Sequence, residues 1–292
     1  MPPDRAQPTL PPYAAPAWDL GRLVLRPAGR PLVMGILNLT PDSFHPGSRV
    51  PSPEQALAAA EAMIADGADI LDLGAESSRP GAKPVSEAEE QDRLLPVLET
   101  LRAQSGIPVS IDTVHAETAR LALAAGADAV NDISAGRTDT DMLKVISTSG
   151  CGLVLMHMQG VPRTMQDDPR YSDVRAEVGA FLAERSKAAE AVGVAPDRIA
   201  VDPGIGFGKT LAHNLDLLAA LRKVAGGRPL VLGASRKRFI GEITGAEVER
   251  RLPGSLAAAA AAFNAGAAVV RVHDVTATVQ FLDVLRAVAD RG

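Results

Sequence analysis

The sequence has little of what several classes of protein depend on. One of its 292 residues is a cysteine, Cys151, so no disulfide can form within the chain, and an adjacent apolar run favours a buried, inert thiol. Aromatic residues make up only 3%, so the core must be built from Ala, Leu, Val and Ile. No apolar run approaches the roughly 20 residues of a membrane span. The five histidines show no metal-ligand spacing, which argues against a zinc site.

Charge and composition narrow the class further. The formal net charge of −5 argues against a general nucleic-acid binder but allows a local basic pocket. Residues 1–17 are rich in Pro and Ala and lack the apolar centre of a signal peptide. They are predicted to be a disordered lead-in to one domain over residues 18–292. We therefore expect a cytoplasmic enzyme that binds small molecules and contacts neither nucleic acid nor membrane.

One pattern recurs along the chain: a short apolar run ends in polar residues, and a helical segment follows. The first run, Leu32–Asn38, is typical of a strand buried on both faces of a parallel sheet. A small hairpin is expected before it. Eight such alternations predict an α/β protein with a single (β/α)8 TIM barrel. The predicted strands cover residues 32–38, 69–74, 108–112, 129–133, 152–157, 198–202, 229–233 and 268–273.

Polar side chains occur at the C-terminal ends of all eight predicted strands. A packed barrel interior does not need them, and barrel enzymes carry their active sites at that end. A structural role, as a cap or a local ion pair, is the preferred interpretation of Asp72 and Asp132. The polar residues at or just beyond the strand ends are Asn38, Asp72, Glu76, Asp112, Asn131, Asp132, His157, Asp202, Ser235, Lys237, Arg271 and His273.

The residue types suit a substrate with two chemically different parts. Asp112, Asn131 and Asp202 supply acceptors and an amide donor for a flat heterocycle that carries an amine and ring N–H groups. Asn38 offers a neutral oxygen, which is a common Mg²⁺ ligand beside a phosphate. Cationic and donor groups near other strand ends suit the phosphate itself. These groups are Arg79, Lys237, Arg271 and His273.

Three other features have competing interpretations. The segment from Pro203 to Thr210 resembles a phosphate-binding P-loop, but Pro203 stands where that motif requires Gly. The glycines more simply let the backbone pass close to a ligand, with Phe207 as a wall. Met156 either packs against a ring face or fills the core. His157 is interpreted as a wall residue.

Eight consecutive motifs resemble those of the dihydropteroate synthase family, in order, from about residue 20 to the C-terminus. The resemblance implies an enzyme of folate synthesis that joins 4-aminobenzoate to 6-hydroxymethyl-7,8-dihydropterin diphosphate and releases pyrophosphate. It also implies Mg²⁺, inhibition by sulfonamides and a homodimer. The motifs are MGILNLTPDSF (34–44), DLGAESSRPG (72–81), SIDT (110–113), VNDI (130–133), HMQG (157–160), DPGIGFGK (202–209), SRK (235–237) and RVHD (271–274).

The same resemblance implies roles for individual residues, grouped by the part of the substrates that they would touch. Expected around the pterin are Asp112, Asn131, Asp202 and Lys237, with Met156 beside them. Expected around the diphosphate are Asn38, Arg271 and His273, with Asn38 as the metal ligand. Expected around the aminobenzoate are Ser78, Arg79, Pro80, Phe44, Phe207 and Ser235, the last at a helix start. The expected catalytic residues among these are Asn38, Ser78, Arg79, Lys237, Arg271 and His273.

Two positions depart from the family pattern. Ser78 stands where the family usually has Thr, and the chain continues after Phe44 with His45-Pro46-Gly47-Ser48 instead of Ser-Asp-Gly-Gly. The loop aspartate is therefore missing, which bears on the rate more than on pterin binding. Two alternatives stay open: a catalytically weak pterin-binding paralogue, and a methyl-folate-binding methyltransferase domain. The second would need neither the Ser-Arg-Lys nor the Arg-x-His-Asp motif.

Overall fold

Eight parallel strands form the centre of the molecule. The computed structural model describes residues 13–40, 53–76 and 85–291. The barrel strands are preceded by the short antiparallel pair β1 and β2, so both the barrel and the small hairpin predicted from the sequence are confirmed. The strands are β1 (Trp18–Asp19), β2 (Val24–Leu25), β3 (Leu32–Asn38), β4 (Ile70–Gly74), β5 (Val109–Asp112), β6 (Ala129–Asp132), β7 (Gly152–Met156), β8 (Ile199–Asp202), β9 (Val231–Gly233) and β10 (Val269–Val272).

The order of the strands brings their C-terminal ends together. The hydrogen-bonded order is β8-β7-β6-β5-β4-β3-β10-β9, and all these pairs are parallel. A parallel bridge between Val201 and Leu230 joins the two ends of that order. The sheet thus curls into a barrel, and the polar strand ends share one mouth.

The helices follow the predicted alternation with two differences. The alternation predicts one helix, over 214–224, after the sixth strand; the structure has two shorter helices there, although no Gly or Pro marks the break. The two-turn helix α8 did not follow from periodicity, because so short a segment has little of it; only the family resemblance implied a helix start near Ser235. The described helices are α1 (Pro53–Ala65), α2 (Glu87–Gln104), α3 (Ala116–Ala124), α4 (Met142–Ser149), α5 (Val174–Ala191), α6 (Leu211–Leu218), α7 (Leu221–Ala225), α8 (Arg238–Thr244), α9 (Leu252–Ala265) and α10 (Val275–Ala289).

The N-terminal end of the barrel is closed by the hairpin. Trp18 is fully buried there with Met34, Ile70 and Val154, and its indole Nε1 donates to the Arg198 carbonyl at 2.9 Å. A large apolar side chain that also has its one polar atom bonded makes a stable plug. The interior at this end is therefore solid, which leaves the opposite end for a site.

Segments outside the barrel were also assigned from the sequence. The chain ahead of Trp18, expected to be a disordered lead-in, is described from Tyr13, whose ring lies 5.3 Å from that of Phe263. Cys151 is buried, and burial raises the pKa of its thiol to about 11. None of the helices in the described ranges is long and apolar enough to cross a membrane.

Candidate active site

The centre of the mouth is held by one arginine between two acids. Arg271, at the end of β10, donates from Nε to Asp72 Oδ2 at 2.5 Å and from Nη2 to Asp112 Oδ2 at 2.7 Å. Asn131 Nδ2 donates to the same Asp72 oxygen at 3.3 Å. Asp72 is completely buried, and its Oδ1 has no hydrogen-bond partner among the described residues. Asp72 thus forms a local ion pair with Arg271, which agrees with the structural interpretation preferred from the sequence.

Burial governs the charges of this arginine–acid group. It raises the pKa of Asp112, and the neighbouring Arg271 opposes that rise. Burial also disfavours the charge of Arg271, but Asp72 and Asp112 outweigh it and raise the guanidinium pKa above its ordinary value. The arginine therefore stays charged and keeps two buried carboxylates partnered.

A second pair of charges converges on the same place from β8 and β9. Burial raises the pKa of Asp202, with Lys237 opposing, and burial lowers the pKa of Lys237 to about 8, with Asp202 opposing. A Cβ placed on Gly233 would lie 3.5 Å from Asp202 Oδ2, 3.8 Å from Lys237 Nζ and 3.9 Å from Arg271 Cδ. We call this group of six side chains the floor. Its members are Asp72, Asp112, Asn131, Asp202, Lys237 and Arg271.

The chain after β8 forms one side of the mouth, which we call the wall: residues 203–209 with His157. Gly204 has φ +68°, and a Cβ there would lie 1.9 Å from the His157 carbonyl oxygen, so only glycine fits. Lys237 Nζ lies 4.7 Å from the centroid of the half-buried Phe207 ring. The glycine-rich segment thus approaches the His157 backbone closely and places an aromatic ring beside Lys237 of the floor, while its predicted close approach to a ligand stays a prediction.

Met156 lies where wall and floor meet. It is buried at the end of β7 and packs in a cluster with Met158, Met165 and Phe207. Asp132, on the neighbouring strand, accepts from the backbone of Ser134 at 2.7 Å and of Gly136 at 2.6 Å. Asp132 therefore caps a local turn, which agrees with its structural interpretation.

The rim beside the wall, at the ends of β9 and β10, carries Ser235 and His273. Ser235 Oγ lies 3.2 Å from both the backbone nitrogen and Nδ1 of His273. Between Ser235 and Lys237, Arg236 adopts φ +55° and makes two hydrogen bonds to Asp274, one of 2.9 Å from Nε. These bonds tie the ends of β9 and β10 together and place a hydroxyl, an imidazole and an ammonium group around the mouth.

The remaining predicted site residues divide into two sets. Asn38 is half-buried at the end of β3, and its side chain makes no hydrogen bond within the described ranges. Phe44, Ser78, Arg79 and Pro80 lie outside the described residues.

Sequence reasoning named Asp72 without identifying Arg271 as its partner, and it did not indicate that Lys209 is buried. Asp72 sits inside an apolar strand, and the period of two that directs its side chain inward was the available signal. Lys209 is buried against His157, with Nζ 2.9 Å from Nδ1. No spacing in the sequence indicates that contact, because the two residues come from different loops.

A ring of buried and half-buried acids and cations at the mouth of a (β/α)8 barrel is typical of an enzyme that binds a small polar molecule. The family model "Pterin binding enzyme" matches residues 34–273. The chain therefore belongs to the pterin-binding enzyme family and, by the relatives that follow, to its dihydropteroate synthases, which are transferases.

The similarity extends over nearly the whole chain. It is 46% identical to a dihydropteroate synthase of Neisseria meningitidis serogroup B, covering 92% of this chain and 96% of that one. A Burkholderia cenocepacia dihydropteroate synthase complexed with 7,8-dihydropteroate superposes with a TM-score of 0.87 at 45% identity, covering 96% and 98%. A Xanthomonas albilineans dihydropteroate synthase with 4-aminobenzoic acid gives 0.86 at 46% identity, covering 94% and 98%.

Proposed function

We propose that this chain condenses 6-hydroxymethyl-7,8-dihydropterin diphosphate with 4-aminobenzoate to give 7,8-dihydropteroate and diphosphate. The observation that carries the proposal is the convergence of Asp202, Lys237 and Arg271 over Gly233, next to Asp112 and Asn131. Relatives solved with 7,8-dihydropteroate and with 4-aminobenzoic acid support it.

The floor is suited to a pterin ring. Asp202 and Asp112 accept hydrogen bonds from the ring N–H groups and the exocyclic amine, while Asn131 and Lys237 donate to ring acceptors. Met156 packs beside the ring. Before substrate arrives, Arg271 holds Asp72 and Asp112 in place through two hydrogen bonds, so these oxygens need little reorganisation.

The diphosphate lies toward the rim in this proposal. Asn38, Arg271 and His273 are its partners, and the guanidinium supplies the fixed positive charge. Within the described residues no group of three or more acidic, His or Cys side chains could hold a metal ion. A single amide oxygen on Asn38 fits Mg²⁺, which commonly takes few protein ligands and completes its shell with phosphate oxygens and water. When bound, it would neutralise charge on the leaving diphosphate.

The reaction then needs no protein nucleophile. Departure of diphosphate leaves a positive charge on the pterin methylene, delocalised into the ring, and the carboxylates of Asp112 and Asp202 stabilise it. The amine of 4-aminobenzoate attacks that carbon and loses its proton. Phe207 and Ser235 form the described part of its pocket, and exclusion of water protects the cation. The residues assigned to close over it are Phe44, Ser78, Arg79 and Pro80.

A pyrophosphate-release assay with both substrates tests this function. Wild-type protein should turn over, and Asp202→Asn should lose pterin affinity by about 100-fold in calorimetry, because half of a buried acceptor becomes a donor. Asp216→Asn, an exposed change on α6, is the control and should behave as wild type. Pterin binding without turnover would favour the weak paralogue, and binding of methyl-folate with no diphosphate release would favour the methyltransferase domain.

The setting of the enzyme is also part of the proposal. We infer that it works in the cytoplasm, is inhibited by sulfonamides as mimics of aminobenzoate, and forms a homodimer through its late helices. In α9, Ala258, Ala259 and Ala262 already pack inside the chain. Val284 and Val288 on α10 stay exposed and are the better candidates for a contact between subunits.

A further inference from the structure

A buried lysine lies beside the site without a part in the proposed chemistry. Lys209 follows the glycine-rich segment after β8, and 3% of its surface is exposed. It forms no ion pair with any carboxylate in the described part of the chain. Burial lowers the pKa of Lys209 to about 7, with Asp202 opposing, so the group is costly to bury and the geometry of its hydrogen bonds shows what it does there.

Three acceptors surround the side-chain nitrogen of Lys209. Nζ lies 2.9 Å from His157 Nδ1, 3.3 Å from the His157 carbonyl and 2.9 Å from the Phe207 carbonyl. The first contact requires a neutral imidazole whose Nδ1 lone pair faces Lys209. Burial and the charge of Lys209 lower the pKa of His157 to about 3, which agrees with a neutral ring.

These bonds join the end of β7 to the peptide that carries Phe207. The flanking glycines have other partners: the Gly206 N–H donates to Asn214 Oδ1 at 2.7 Å, and the Gly208 carbonyl accepts from Tyr171 Oη at 2.8 Å. The Phe207 carbonyl, among the described residues, accepts only from Lys209. The Phe207 N–H donates to the Gly204 carbonyl at 3.1 Å, so Lys209 supplies the second backbone anchor of this residue, at its carbonyl.

We propose that Lys209 is a positioning residue: through the Phe207 carbonyl it fixes the ring that closes the aminobenzoate pocket, and so sets affinity for that substrate. The inference rests on the proposed function, which assigns Phe207 to that pocket. Among the described residues no hydrogen bond joins Lys209 to a floor side chain. The pterin should therefore bind normally when the lysine is removed.

Steady-state kinetics test the proposal. Lys209→Met keeps an unbranched apolar stem without donors, and Lys223→Met, an exposed change on α7, is the matched control. The KM for 4-aminobenzoate should rise about tenfold in Lys209→Met, while the KM for the pterin diphosphate stays within about twofold, since one substrate loses its preorganised wall. Equal rises in both KM values, or an unchanged aminobenzoate KM in the folded variant, would overturn the proposal.

A readout without turnover separates this role from the proposed function. The chain has six Phe residues, so ¹⁹F NMR of fluorophenylalanine-labelled protein can be assigned by the signal lost in Phe207→Leu. The Phe207 signal should shift or broaden in Lys209→Met and less in Lys209→Gln, which keeps a donor. If the Phe207 signal shifts in Lys209→Met but the wild-type protein shows no synthase activity, the proposed function is refuted and the contact between Lys209 and Phe207 stands. An unmoved signal, or failure of both variants to fold, would reduce Lys209 to a stability role.

Discussion

The floor and the wall are built from opposite kinds of contact. In the floor, cations meet carboxylates, as Arg271 meets Asp72 and Asp112. In the wall, the buried Lys209 meets an imidazole and two carbonyls instead. The floor therefore offers charges that a ligand can engage, whereas the backbone of the wall is bonded to Asp202, Lys237 and neighbouring residues and presents the Phe207 ring. One side of the mouth is arranged for recognition, the other for rigidity.

The largest expected effect tests the rigidity of the wall. Gly204→Ala should lower the free energy of unfolding by about 4 kcal/mol, because a left-handed residue acquires a side chain that collides with the His157 carbonyl. Gly226→Ala, at φ +59° with no atom within 4 Å of its Cβ, should cost only about 1 kcal/mol. Denaturant unfolding measures both. Equal losses in the two variants would show that the backbone around Gly204 can shift to accommodate a side chain.

The next effect concerns the floor. Arg271→Ala should weaken binding of the pterin diphosphate about 100-fold and of the free pterin about tenfold or less, since the guanidinium contacts the charged group most strongly. Calorimetry with the two ligands measures the difference. Arg120→Ala, which breaks an exposed pair on α3, is the control. Equal losses for both ligands would contradict the role of Arg271 at the diphosphate.

The smallest expected effect is the pH dependence of the free energy of unfolding that the buried imidazole of His157 causes. His157 titrates at 6.5 when exposed and at about 3 in the fold, because of burial and the charge of Lys209; Arg137 adds to the effect. Below pH 6.5 the imidazole is protonated in the unfolded chain but stays neutral in the folded chain. The free energy of unfolding therefore decreases as the pH is lowered from about 6.5 to about 3.

Substitution of His157 should remove that dependence. Relative to wild type, His157→Gln should gain about 2 kcal/mol in unfolding free energy between about pH 7 and about pH 5. Denaturant unfolding at the two pH values gives the difference. A constant offset would mean that His157 is protonated in the folded wall, which would also change the hydrogen-bond directions assigned to Lys209.

The comparison of floor and wall also explains what the sequence could predict. Strands of the barrel and acceptors at their ends, such as Asp112 and Asp202, follow from alternation and from the direction of parallel strands. The sequence shows a carboxylate at Asp72 but does not decide its role, because a carboxylate within a buried strand is compatible both with a substrate contact and with a local ion pair. The Lys209–His157 contact, between residues 52 apart, depends on how two loops fold over each other, which no local pattern encodes.

Trp18 gives the molecule a built-in optical probe. It is the single tryptophan, it is fully buried, and it closes the end of the barrel opposite the candidate site. Its emission has one source and should respond to opening of the barrel as a whole. Because ligands engage the other end, intrinsic fluorescence can follow unfolding of each variant while calorimetry follows binding, and the two can be measured on the same sample.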